Sequence, residues 1–149
     1  MTTPWEVVVV SSDLESRRNL SAILTRQGID PICTSTLREC REVLSQRNVG
    51  IVFCDSHLSD GTYKEFLGGY RSREERPRVI VTSRHSEWDE FKEAIRFGAF
   101  DVIGMPCRPT DVEWMIIQAR RDDRKRAENP PVVYVAPPVL AKSAAVAAS

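Results

Sequence analysis

The chain has 149 residues, enough for one domain with a core that folds alone, and its 21 Lys+Arg balance 21 Asp+Glu to a formal charge of zero. That balance gives no electrostatic footprint for nucleic acid or for an anionic membrane. The apolar run Val7–Val10 is too short for a signal-peptide core or a membrane span, so a cytoplasmic protein is expected. The four cysteines (Cys33, Cys40, Cys54, Cys107) form no C-x-x-C pair, and no cysteine cluster accompanies His57 or His85. Zinc and dithiol chemistry are therefore unsupported, and reduced thiols, mostly in the core, are expected.

Met1–Pro4 reads as a short leader, and Glu6–Val10 as a central strand because of its β-branched run. Ser12 with Glu15 forms a capping box for a helix whose stripe is Leu20, Ile23 and Leu24, stopped at Gly28. Ile29–Cys33 is a weaker strand, with Pro31 pointing to an edge position. Thr36 with Glu39 opens a second helix carrying Leu37, Cys40, Val43 and Leu44. Ile51–Cys54 is a third strand, cut off by Asp55 and followed by a polar loop ending at Asp60-Gly61.

Thr62 with Glu65 repeats the box ahead of Phe66, Leu67 and Tyr70, and an Arg-rich turn covers Arg71–Arg78. Val79–Val81 is the fourth strand, ending at Thr82-Ser83. Ser86 with Asp89 opens the fourth helix, in which Trp88, Phe91 and Ile95 share one face expected to be buried, with a stop at Gly98. Phe100–Ile103 is the fifth strand, and Met105-Pro106 breaks the chain after it. Thr110 with Glu113 starts a last helix with Val112, Met115, Ile116 and Ala119 on one face.

The proposed caps at 12, 36, 62, 86 and 110 are spaced by 24, 26, 24 and 24 residues. One S/T-x-x-E/D match is weak evidence; five in register, each after an apolar run, indicate five repeated βα units. Such units need right-handed crossovers and a parallel sheet covered on both faces. The expected class is α/β: a three-layer, doubly wound (βα)5 sheet.

From Arg120 the composition changes. RRDDRKR reads as the solvated end of the last helix. Residues 1–128 form the expected domain, and 129–149, rich in Pro, Ala and Val, a disordered tail or linker. Within it, VVYV is a candidate for pairing with a strand edge.

In a doubly wound sheet, ligands and chemistry collect at the carboxyl ends of the strands. Here those ends carry Ser11-Ser12-Asp13, Asp55, Thr82-Ser83 and Gly104-Met105-Pro106. In this arrangement the sequence from about Glu6 to Arg124 resembles the response-regulator receiver domain, the phosphoacceptor module of two-component signalling. The resemblance implies a flavodoxin-like sheet of order 2-1-3-4-5 and a signalling module that is not an enzyme. It makes Asp55 the phosphoacceptor, Thr82 the hydroxyl after the fourth strand, Ser83 the small residue beside it, and Pro106 the proline that follows a cis bond.

The family also uses Mg²⁺ held by two acids after the first strand, a lysine after the fifth and a switch aromatic within the fifth. This sequence has Ser11 and Ser12 for the acids, with Asp13 one place late, Met105 for the lysine and Val102 for the aromatic. A serine hydroxyl is a much poorer Mg²⁺ ligand than a carboxylate, which leaves Asp13 and Asp55 as weak metal candidates and weak Mg²⁺ binding at most. Arg84 and Arg108 are the nearby arginines, each read as a surface residue.

The expected function is a phosphorylation-impaired receiver working through protein–protein contact. Two alternatives remain open: a functional phosphoacceptor with relaxed metal needs, and a flavin or nucleotide binder on the same fold. SSDLES is a poor phosphate cradle for the latter. The resemblance places a sensor kinase, an effector or a second copy on the face made by helix four, strand five and helix five. Trp114 and Ile117 lie off the last helix's buried stripe and mark a partner surface there.

Overall fold

The computed structural model describes residues 5–70, 77–84 and 88–128. The leader Met1–Pro4, most of the Arg-rich turn, the Ser86 cap and the 129–149 tail lie outside the described residues.

Five parallel strands form the sheet: β1 (Glu6–Val10), β2 (Ile32–Thr34), β3 (Val49–Asp55), β4 (Arg78–Ser83) and β5 (Asp101–Gly104), in the order β2-β1-β3-β4-β5. The helices are α1 (Leu14–Arg26), α2 (Leu37–Gln46), α3 (Tyr63–Gly68), α4 (Trp88–Arg96) and α5 (Pro109–Glu128). A two-residue hairpin pairs His57–Leu58 with Gly61–Thr62 beyond β3. The parallel sheet, its order and its helical cover are those expected of a flavodoxin-like receiver fold.

Strand parity builds two cores. Val7, Val9, Ile51, Phe53, Ile80 and Ile103 point to one face and pack under α1 and α5. Val8, Val10, Val52, Cys54, Val79 and Val81 point to the other and pack under α2, α3 and α4. The three inner strands β1, β3 and β4 are buried on both faces, so each carries a continuous apolar run. The stripes Leu20–Ile23–Leu24 and Val112–Met115–Ile116–Ala119 are buried as expected. Cys40, Cys54 and Cys107 are buried, and Cys33 is exposed. Burial pushes the Cys40 thiol up to about 12 and the Cys107 thiol up to about 11, which makes both poor nucleophiles.

Several boundaries differ from the sequence reading. Asp13, not Ser12, caps α1: its carboxylate accepts from the Ser16 backbone N–H at 3.0 Å and the Ser16 hydroxyl at 2.7 Å. Two charge-assisted bonds outcompete the neutral serine, which stands exposed. Thr36 and Thr62 cap α2 and α3 as expected. The last helix begins at Pro109 instead of Thr110, with Asp111 accepting from the Arg108 backbone N–H at 3.2 Å. Proline at the first helical position loses no hydrogen bond, so the helix starts there. β2 and β5 each begin later than read, and β3 and β4 are longer.

The largest correction concerns α4. Trp88 is 66 % exposed and Ile95 38 % exposed, while Ala94 is the helix's fully buried side chain. The helix approaches the sheet closely through the small Ala94, which rotates the Trp88–Phe91–Ile95 stripe outward. Trp88 stacks on Phe91 with ring centroids 5.4 Å apart.

Candidate functional site

Register brings the site together. Val10 lies opposite Cys54, and Asp55 opposite Thr82, so Ser11, Asp55 and Thr82 stand side by side at the carboxyl edge of the sheet. Strand order makes the three residues neighbours although 27 to 44 positions separate Asp55 from its partners. The Ser56 backbone N–H donates to the Thr82 carbonyl at 3.1 Å, which continues the ladder one step past the carboxylate.

Both carboxylate oxygens of Asp55 are engaged. The Ser11 hydroxyl donates to Oδ2 at 2.6 Å and the Thr82 hydroxyl donates to Oδ1 at 2.6 Å. Bonds this short are characteristic of a hydroxyl donating to a charged acceptor. Ser11 is buried, and its carbonyl accepts from the Arg17 guanidinium at 2.6 Å, which holds its backbone in place. The Asp55 carboxylate is partly exposed at the floor of a depression of about 320 Å³ also lined by Ser16, Ser56, His57, Arg84 and Met105.

The remaining predicted positions divide by place. Asp13 directs one oxygen into its cap and the other toward Arg84, 4.0 Å away. Its bonds to Ser16 hold the Asp13 carboxyl below the usual carboxylate range, with smaller help from Arg84 and Arg17. Ser83 is buried, and its hydroxyl donates to Glu90 of α4 at 3.1 Å, so it joins the sheet edge to that helix. Met105 is half-buried against the α1–α5 core while bordering the depression. The Met105-Pro106 bond is cis. Ser12 is outside the constellation, and Arg108 turns to Asp111 at 3.5 Å, away from it.

Arg84, read as a surface residue, is 63 % exposed at its side chain yet lines the rim of the depression. Trp114 is 49 % exposed and Ile117 half-buried on α5, and they belong to a different surface from the Asp55 depression.

Two residues went unassigned in the sequence. Ser16 both lines the depression and binds Asp13, and nothing in its spacing marks it. Asp60 accepts from the backbone N–H groups of Leu37 and Arg38, each at 2.9 Å, so the loop after β3 is tied to the start of α2. Those two bonds hold the Asp60 carboxyl below its ordinary value. The Asp-Gly pair was the available signal: Gly61 adopts φ +151, and a Cβ there would meet Leu37 at 3.0 Å.

The donor set suits Mg²⁺ poorly. Ser11 commits its hydroxyl to Asp55, Asp13 commits an oxygen to its cap, and among the described residues no group of three or more His, Cys, Asp or Glu is placed to hold a metal. Among those residues no helix is long and apolar enough to cross a membrane.

Residues 7–117 match the response regulator receiver domain family. Among curated proteins the chain is 27 % identical over 121 residues to the regulatory protein AtoC of Escherichia coli, covering 81 % of this chain and 26 % of that protein. It is 23 % identical over 127 residues to the response regulator protein PilR of Pseudomonas aeruginosa, covering 85 % and 28 %. The chain thus spans about a quarter of the length of these relatives. Among solved structures it is similar to the beryllofluoride-activated NtrC4 receiver domain dimer, with TM-score 0.70, 26 % identity, and coverage of 78 % of this chain and 97 % of that one. It is similar in fold to the chemotaxis response regulator CheY4 of Vibrio cholerae, with TM-score 0.68, 16 % identity, and coverage of 78 % and 99 %. With the strand order, the carboxyl-edge aspartate and the family match over most of its length, the chain belongs to the response regulator receiver domain family of two-component signalling.

Proposed function

We propose that this receiver keeps the phosphoacceptor position at Asp55 but is impaired in phosphorylation, and that it works as a protein–protein interaction module. The observation that carries this reading is the Ser11 hydroxyl, 2.6 Å from Asp55 Oδ2, where the family places an acid for metal binding. A carboxylate must approach a dianionic phosphoryl group against like-charge repulsion, so catalysis depends on neutralising that charge. Ser11 and Thr82 supply neutral dipoles, and Met105 supplies a thioether where the family's lysine would bring a cation. Both hydroxyls stabilise the unmodified carboxylate, which lowers its nucleophilicity further. The residues present do not fit Mg²⁺, and no step is assigned to it.

The test is intact mass of the full chain after incubation with a small phosphodonor and Mg²⁺. No added phosphoryl group is expected. A gain of one phosphoryl that disappears in Asp55→Ala would overturn the reading. Beryllofluoride titration at millimolar Mg²⁺ should likewise leave the amide spectrum unchanged.

The position of Arg84 favours one alternative, a working phosphoacceptor with relaxed metal needs. Its guanidinium borders the same depression and balances Asp13. Under that reading modification proceeds without Mg²⁺ and is lost in Arg84→Gln as well as in Asp55→Ala.

For the interaction itself, the exposed Trp114 with Ile117 on α5, and the Trp88–Phe91 pair on α4, are the candidate contact residues on the face made by α4, β5 and α5. The partner classes are a sensor kinase, an effector or a second copy of the chain.

A further inference from the structure

At the end of the sheet opposite Asp55 lies a cavity of about 340 Å³. It forms where the segment before β1, the α2–β3 junction, the start of β4 and the last turns of α5 meet. Its volume falls in the range of small-ligand sites.

One side of this cavity is cationic. Arg47, Arg78 and Arg126 line it against a single carboxylate, Asp123. The acids that balance Arg47 and Arg126, Glu6 at 3.0 Å and Asp122 at 3.2 Å, do not line it. Asp122 is already committed to Arg78 at 2.8 Å, which leaves Arg126 a second claim on it. The Arg47 and Arg126 pairs are solvated, and solvated pairs hold their partners weakly, so an incoming anion can engage both guanidinium groups. Arg78 differs, because it is buried between Asp122 and Asp123, with the Trp5 indole N–H fixing Asp123. It makes a rigid rear wall.

The other side is apolar. Leu44, Val49 and Tyr70 line the same cavity, each half-buried at the margin of the α2–α3–α4 core. A guanidinium fork matches two oxygens of a carboxylate or a phosphate, and its flat face, like an aromatic ring, stacks on a planar body. A bare ion would forgo the apolar side, and a neutral ring would forgo the guanidinium groups. We propose that the cavity binds a small aromatic oxyanion, an aryl carboxylate or aryl phosphate, held by Arg47 and Arg126 with its ring against Leu44, Val49 and Tyr70.

This site stands whether or not Asp55 accepts a phosphoryl group. Its ligand bridges the residues ahead of β1 to the end of α5, and so stabilises the closure that Trp5 makes with Asp123.

Trp5 lines the cavity and supplies the readout, while Trp88 and Trp114 do not line it and serve as internal references. The three indole N–H signals of the full chain are assigned by NMR with Trp88→Phe and Trp114→Phe. They are then followed through titrations with benzoate, phenyl phosphate and inorganic phosphate. A saturable shift of the Trp5 signal alone is expected with benzoate or phenyl phosphate, at a dissociation constant of about 1 mM or tighter. Whichever of the two binds more tightly identifies the oxyanion, and inorganic phosphate should leave Trp5 unmoved. Arg47→Gln with Arg126→Gln should weaken binding about ten-fold. Both side chains are largely exposed, and unmoved Trp88 and Trp114 signals will show that the double variant is folded. Arg108→Gln, which removes an exposed arginine at the carboxyl edge, should leave binding unchanged. Absence of a saturable shift with either aryl anion overturns the proposal, as does full affinity in the double variant. An equal shift with inorganic phosphate, or a shift of all three indoles, overturns it too and would mark a general salt effect.

Discussion

The guanidinium of Arg78 is buried at the first residue of β4, 7 % exposed, at the end of the sheet opposite Asp55. Asp122 and Asp123 of α5 both bind it, Asp122 at 2.8 Å, and the Trp5 indole N–H donates to Asp123 as well. Removing the partners of a buried charge costs more than forming the pair gains. The double substitution Asp122→Ala with Asp123→Ala should therefore lower unfolding free energy by about 3 kcal/mol in urea titrations. None of this was legible in RRDDRKR, which reads as a solvated helix end. Asp123 falls four residues after Ala119 and continues the buried stripe, but its partner is 45 positions away. Asp60 makes a second prediction at this scale. Its folded pKa is lowered by the Leu37 and Arg38 amides, so its contribution is complete above the unfolded value near 3.8 and is lost as pH falls through the folded one. In that acid window the unfolded chain binds more protons, and stability rises with pH. Asp60→Asn should make the stability–pH slope below about pH 4 shallower, as read by chemical denaturation at stepped pH.

At the scale of elements, β3 is fitted to the N-terminal segment through Gly50. A Cβ there would lie 2.2 Å from the Trp5 ring, closer than any real contact. Gly50→Ala should therefore destabilise by about 1–3 kcal/mol, the range for overpacking, and pairing it with Trp5→Val should recover part of the loss in thermal unfolding. The caps show which local signals can be trusted. Thr36 and Thr62 act as their spacing suggests, and Gly28 ends α1 with φ +82 while the Ile29 N–H bonds back to the Leu24 carbonyl at 2.9 Å. At α1 two candidates compete, and the charged Asp13 displaces Ser12. Helical period alone did not say which side of α4 meets the sheet. An apolar stripe there ends up outside because Ala94 permits close approach, and a small buried residue contributes little to a hydrophobic pattern.

Across the whole molecule, apolar runs followed by repeated capping patterns were enough to read five βα units and a covered parallel sheet from the residues. The strand order and the roles at the carboxyl edge came instead from family resemblance. Which atoms meet was not legible either way: that Ser11 reaches Asp55 depends on the register of β1 against β3, which no local pattern encodes. The sheet has two working ends. At one, Ser11, Asp55 and Thr82 converge; at the other, Trp5 bonds to Asp123, so the first described residue and the last helix meet. That second meeting point makes the order of the segments along the backbone a matter of choice. A variant whose residue 128 is joined to residue 5 by a short Gly/Ser linker, and whose chain is reopened at exposed Asp30, should fold with an unfolding temperature within several degrees of the original. Loss of cooperative unfolding would show that the closure between Trp5 and α5 is too weak to stand in for the native connectivity. If the rearranged chain folds, new termini can be placed at the end of the sheet opposite the carboxyl edge, and the receiver becomes a cassette insertable into another protein's loop.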